Sequence, residues 1–113
     1  MHARAVAALR ALPAGAAVLD AGCGTGGFLA RLGAARPDFL LHGLEYDPAA
    51  ARRAAAKARA LVAAGTVNAL PFGDARFDAL ASLDVLCHRA VDQAAALAEA
   101  RRVLRPGGLL LLN

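Results

Sequence analysis

Asp20, Glu45 and the glycines between them carry most of the chemistry this sequence offers. Asp20 closes the apolar run Ala16-Ala17-Val18-Leu19, which reads as a buried central strand. Gly22, Gly24, Gly26 and Gly27 follow at once. Without a Cβ the backbone can turn sharply there and come close to a ligand. The free N–H groups of the next helix's first turn open into the same space. Glu45 lies 21 residues beyond Gly24, where a doubly wound sheet places a carboxylate for ribose hydroxyls. Its two oxygens can accept from both the 2′ and 3′ hydroxyls, which disfavours a 2′-phosphate. Gly22, Gly24 and Gly27 also match the dinucleotide pattern G-x-G-x-x-G. Asp20 argues against a pyrophosphate there, since like charges about 5 Å apart repel by roughly 3 kcal/mol at an effective dielectric near 20. A nucleoside cofactor with a cationic end and no phosphates suits the turn better. The plain alternative is a tight turn with no ligand, but four glycines within six residues carry an entropic cost such a turn does not need.

The elements that must hold these groups alternate between strand and helix. A short helix over Ala3 to Leu12 is stopped by Pro13 and Gly15. The glycine loop leads into a helix over about Gly26 to Ala35, ended by Pro37. Phe39 to Glu45 reads as the second strand. Asp47 as N-cap and Pro48 at the first helical position start a helix over Ala49 to Ala60. A weak third strand covers Ala60 to Ala64, and a fourth covers Phe77 to Leu83. A helix over Asp92 to Leu104 carries Arg101, Arg102 and Arg105 at its C-terminal end, where the dipole favours cations. Pro106-Gly107-Gly108 stops it, and Leu109 to Leu112 begins a fifth strand.

The run Val18-Leu19-Asp20-Ala21-Gly22-Cys23-Gly24-Thr25-Gly26 resembles the first motif of class I S-adenosylmethionine-dependent methyltransferases. Leu70-Pro71-Phe72 with Phe77-Asp78 resembles that family's L-P-F…F-D segment. Asp84-Val85-Leu86-Cys87-His88 is similar to its D-V-L-x-H pattern. Val103-Leu104-Arg105-Pro106-Gly107-Gly108 and the leucines after it resemble its last shared motif. The resemblance implies an α/β fold: a three-layer Rossmann-like sandwich whose mostly parallel sheet has the order 3-2-1-4-5 and lacks the usual last two strands. It implies methyl transfer from S-adenosyl-L-methionine to an O, N, C or S nucleophile, with no metal. Asp20 and the loop Ala21, Gly22, Cys23, Gly24, Thr25 and Gly26 would hold the methionine end. Glu45 would hold the ribose. Tyr46, the only tyrosine, would lie along the adenine or else cover the sheet edge. Thr66, Val67 and Leu70 would complete the adenine pocket. Ser82 and Leu83, at the end of the fourth strand, would face the methionine part. Asp84, Cys87 and His88 are the substrate-side candidates, and no catalytic base is nominated. His88 equally reads as a locally bonded imidazole, and Cys87 as a core residue. The family usually carries G-D-A before L-P-F, but here Gly65 is followed by Thr66. A hydroxyl can still accept one hydrogen bond from the adenine amino group, but the charge is gone.

The totals narrow the classes further. At 113 residues and 58% hydrophobic, the chain is one small domain with an aliphatic core, not a disordered segment. The net charge of +4 comes from arginines scattered over helix faces without interleaved aromatics, so no nucleic-acid partner is expected. Two cysteines far apart fit neither a disulfide framework nor a zinc site. No signal peptide or membrane span is legible, and a cytoplasmic protein acting on a small-molecule acceptor is the expectation. The leucine run of the fifth strand suits pairing on both sides. The reading is therefore the cofactor-binding portion of a longer domain, either truncated or completed by a partner. Two alternatives stay open at the level of sequence: a non-catalytic or partial cofactor-binding module, and an NAD-type nucleotide-binding oxidoreductase domain.

Overall fold

The computed structural model describes residues 2–113. Its elements are α1 (His2–Leu9), β1 (Ala17–Ala21), α2 (Gly27–Ala35), β2 (Leu40–Glu45), α3 (Pro48–Lys57), β3 (Leu61–Ala64), β4 (Phe77–Ser82), α4 (Gln93–Val103) and β5 (Leu104–Leu112). The strands form one sheet in the order β3-β2-β1-β4-β5, and every neighbouring pair is parallel. This is the order expected from the sequence.

Strand alternation splits the apolar residues into two layers. Val18, Leu41, Ala79 and Ala81 face α1, α2 and α3, where Leu9, Phe28, Leu29 and Leu32 meet them. Leu19, Leu44, Phe77 and Leu80 face the opposite side, where Ala100 and Val103 of α4 and the Leu70–Phe72 segment cover them. Burying each large aliphatic side chain contributes roughly 1.5–3 kcal/mol, so β1, buried at all five positions, anchors the sheet. α3 contributes less area, because its buried residues are Ala51 and Ala54.

Several boundaries differ from expectation. α1 ends at Leu9, and the Leu12 N–H closes a turn onto the Leu9 carbonyl at 3.0 Å. α3 ends at Lys57 because Ala58 is extended (φ −111°, ψ 149°). β5 starts at Leu104, five residues early: Leu104 pairs with Phe77 and Leu109 with Ala79, so Arg105 to Gly108 bulge out between them. Gly107, at φ +79°, permits that excursion. The α4 arginines are not simply dipole partners. Arg102 reaches Glu99 (2.7 Å), Asp74 (2.9 Å) and the carbonyls of Leu70 (3.0 Å) and Phe72 (2.8 Å), pinning the L-P-F loop to α4. Arg105 pairs with Asp78 at 2.8 Å, and the other Asp78 oxygen accepts from the Ala17 N–H at 2.8 Å. One carboxylate thereby ties the start of β1 to the start of β5.

Candidate functional site

β1, β2 and β4 all point their C-terminal ends toward the same place, and the loops leaving them define it. The glycine loop is stitched to β2 through backbone groups. The Gly22 and Cys23 N–H groups both donate to the Leu44 carbonyl, at 2.7 and 2.9 Å. Gly22, Gly24 and Gly26 have φ of +90°, +57° and +92°, a region costly for residues with a Cβ. Their reasons differ. A Cβ at Gly22 would strike Val85, and one at Gly26 would strike the Ala54 backbone at 2.8 Å. At Gly24 a Cβ would meet nothing within 4 Å. Of these three, only Gly24 leaves its α-carbon facing open space; the other two serve close packing within the chain.

Glu45 joins the loop to the next turn. Its Oε1 accepts from the Gly24 N–H at 3.0 Å and its Oε2 from the Asp47 N–H at 2.9 Å. Each oxygen keeps a lone pair for a further donor. Asp47 in turn caps α3, accepting from the Ala49 N–H at 3.2 Å.

Two clefts flank the glycine loop and share Gly22, Gly24 and Leu83 as walls. The larger, about 420 Å³, has Glu45, Tyr46 and Asp47 on one side, Thr66 and Val67 on a second, and Asp84, Val85 and His88 on a third. The smaller, about 290 Å³, is lined by Asp20, Cys23, Thr25 and Phe28. Asp20 is 2% exposed, and its Oδ1 is buried without a hydrogen-bond partner. Burial first, and the Glu45 charge second, push its carboxyl up to about 7. Burial and the same two carboxylates push the Cys23 thiol up to about 12, so it is inert as a nucleophile. Neither cleft is lined by Lys or Arg among the described residues. The donor set is therefore acidic and matches a cationic ligand without phosphates.

Most of the residues expected around the cofactor line the two clefts. Tyr46 is 72% exposed at the mouth of the larger one. Thr66 lines it too, with its hydroxyl accepting from the Asn68 N–H at 3.1 Å in a local turn. Ala21, Leu70 and Ser82 lie elsewhere: they surround a void of about 10 Å³ on the α4 side of the sheet. The reason is alternation along the strand, which turns Ala21 and Asp20 to opposite faces; Leu70 packs into that same layer. Of the substrate-side candidates, Asp84 and His88 line the larger cleft and the exposed Cys87 does not. Asp84 takes φ +58° and is held by Asn113, which accepts from its N–H at 2.6 Å and donates to its Oδ1 at 2.7 Å.

Two positioning residues escaped the sequence reading. Asn68 donates to the Ala90 carbonyl at 3.0 Å and accepts from the Asp92 N–H at 2.8 Å, so one side chain joins the loops after β3 and β4. Asn113 does the same from the end of β5. No motif marks either, because their partners lie 22 to 29 residues away.

Comparison with known proteins gives this site its class. Residues 19–112 match a methyltransferase domain model, and the chain belongs to that family. S-adenosylmethionine is the cofactor that membership implies, which decides against the dinucleotide alternative. The chain is 40% identical over 107 residues to demethylmenaquinone methyltransferase of Roseiflexus castenholzii, covering 92% of this chain and 44% of that protein. It is 40% identical over 113 residues to malonyl-[acyl-carrier protein] O-methyltransferase of Herminiimonas arsenicoxydans, covering 98% and 41%. Among solved structures, a SAM-dependent methyltransferase of Thermotoga maritima superposes with a TM-score of 0.77 at 28% identity, over 98% of this chain and 50% of that one. The chain thus spans about half the length of the proteins it matches. No helix among the described residues is long and apolar enough to cross a membrane.

Proposed function

We propose that residues 1–113 are a cofactor-binding unit that holds S-adenosylmethionine across the two clefts for methyl transfer to a small-molecule acceptor. When bound, the cofactor supplies an electrophilic methyl group on a sulfonium. The chain's own residues bind, orient and exclude water, which is most of what an in-line displacement requires. Asp20 takes the ammonium, and the glycine-loop N–H groups not already given to the Leu44 and Cys23 carbonyls or to Glu45 take the carboxylate. Glu45 takes the ribose hydroxyls with the lone pairs its backbone contacts leave free. Tyr46, Thr66 and Val67 enclose the adenine. Asp84 and His88 face the acceptor. The carrying observation is Asp20: a buried carboxylate oxygen without a partner, in a cleft whose lining holds no Lys or Arg.

The test is calorimetry with S-adenosylhomocysteine on this chain and on Glu45→Ala. The variant is expected to bind at least tenfold more weakly, about 1.4 kcal/mol. Equal binding by both chains would remove the ribose assignment, and tighter binding of NAD would remove the cofactor reading. A second reading, a module that binds the cofactor without catalysis, draws on Thr66 standing where the family carries a carboxylate. Single-turnover methyl transfer by the full-length protein would exclude it.

A further inference from the structure

Asp20 stands apart from the other acids at this end of the sheet. Glu45 accepts two backbone N–H groups, Asp47 caps α3, and Asp84 is bonded to Asn113. Asp20 Oδ1 is as inaccessible as a core atom and has no donor. Its backbone neighbours across the sheet are Gly43 on β2 and Ala81 on β4, which bring no polar side chain. The ionisable groups around it do not compensate. From the glycine loop comes the Cys23 thiol, held neutral. From the end of β2 comes Glu45, a like charge. Across the smaller cleft α1 contributes His2, which stacks edge-on against Phe28 of α2 at 5.6 Å between ring centroids. His42 of β2 packs instead among Phe72 and Phe77 in the other layer. Asp84 and His88 line the larger cleft and not the smaller.

A carboxylate with a buried oxygen that has no donor, beside another carboxylate, is destabilised in its charged form until a cation arrives. We infer that, below neutral pH, the site ionises Asp20 as a ligand's ammonium enters, so that uptake of an amino-acid nucleoside expels up to one proton to solvent. No covalent bond changes; the proton leaves and an ion pair forms. The inference rests on the cofactor reading above and adds to it a pH dependence of the same site.

The sign follows from linkage. In the free protein burial pushes the Asp20 carboxyl up to about 7. Below that pH the group is protonated and binding must displace the proton. Affinity for an ammonium-bearing ligand then falls by up to about tenfold per pH unit as pH drops, and levels off well above 7. A nucleoside without the ammonium reaches the larger cleft alone and has no such dependence.

Calorimetry between pH 5.5 and 8.5, in paired buffers of different ionisation enthalpy, tests this. The probes are S-adenosylhomocysteine and 5′-methylthioadenosine, which lacks the amino-acid portion. S-adenosylhomocysteine is expected to bind up to about tenfold more tightly at pH 8 than at pH 6 and to release close to one proton at pH 6. Methylthioadenosine is expected to release none. Asp20→Asn is expected to flatten the first profile, whereas His2→Gln leaves it intact. A flat S-adenosylhomocysteine profile in the unaltered chain would overturn the inference while leaving the cofactor reading standing. An equal slope for both nucleosides would also overturn it, by placing the titration in the larger cleft. Failure of S-adenosylhomocysteine to bind at any pH would overturn the cofactor reading itself.

Discussion

The loops that leave β1 and β4 border the same clefts but are held by opposite means. The glycine loop is shaped mainly by backbone geometry: three positive-φ glycines, two N–H groups on one carbonyl of β2, and a Cβ-free approach to α3, with the adjacent Glu45 carboxylate bracing Gly24. The segment from Leu83 to Val91 is hung from distant side chains. Asn113 holds Asp84, Asn68 holds Ala90 and Asp92, and Gln93 donates to the Leu86 carbonyl at 2.9 Å. A loop built from backbone geometry tolerates little substitution and encodes its shape locally. A loop built from side-chain anchors can be released one anchor at a time. In the proposed function the first would serve the constant cofactor and the second the acceptor.

Four substitutions probe that contrast. Gly26→Ala carries the largest expected effect: its Cβ would meet the Ala54 backbone at φ +92°, and left-handed strain plus overpacking cost about 3 kcal/mol. Gly24→Ala, in open space at φ +57°, should cost only about 1 kcal/mol. Urea unfolding of both variants checks the gap, and equal losses would mean that packing against α3 is not what requires Gly26. Asn68→Ala comes next. Losing both anchors should cost about 1 kcal/mol and speed amide hydrogen exchange at Asp92 while leaving Gly22 and Cys23 protected. Faster exchange in the glycine loop as well would show that the two loops are one unit. Thr66→Asp is the smallest: restoring a charged acceptor should tighten S-adenosylhomocysteine about threefold, near 0.6 kcal/mol. Weaker binding would place the adenine elsewhere.

The sequence made the backbone-built region legible and left the other largely hidden. β1, the glycine turn, Glu45 at the end of β2 and the Asp47-Pro48 helix start all rest on local residue types, and the structure has each where expected. The sheet order came through the family resemblance, and it matches. Ala21, Leu70 and Ser82 were expected at the cofactor from the glycine motif, the L-P-F segment and the end of the fourth strand, but strand alternation and packing put them in the α4 layer. Arg102 read as a dipole partner because its acceptors on the L-P-F loop lie up to 32 residues earlier. Asn68, Asn113 and the second role of Asp78 share that difficulty: a long-range polar contact leaves no periodic trace. The early start of β5 was obscured because Pro106-Gly107-Gly108 reads as a break, whereas the sheet absorbs those residues as a bulge.

The paired acceptance by Glu45 has a consequence for anyone altering nucleoside preference. The side chain proposed to read the sugar is also the brace that fixes the curvature of Gly24 and the entry into α3. Swapping it for a shorter or neutral group would slacken the scaffold and change recognition in one stroke. Retuning selectivity at this corner therefore calls for a replacement brace to be installed first, with the hydroxyl acceptor exchanged only afterwards.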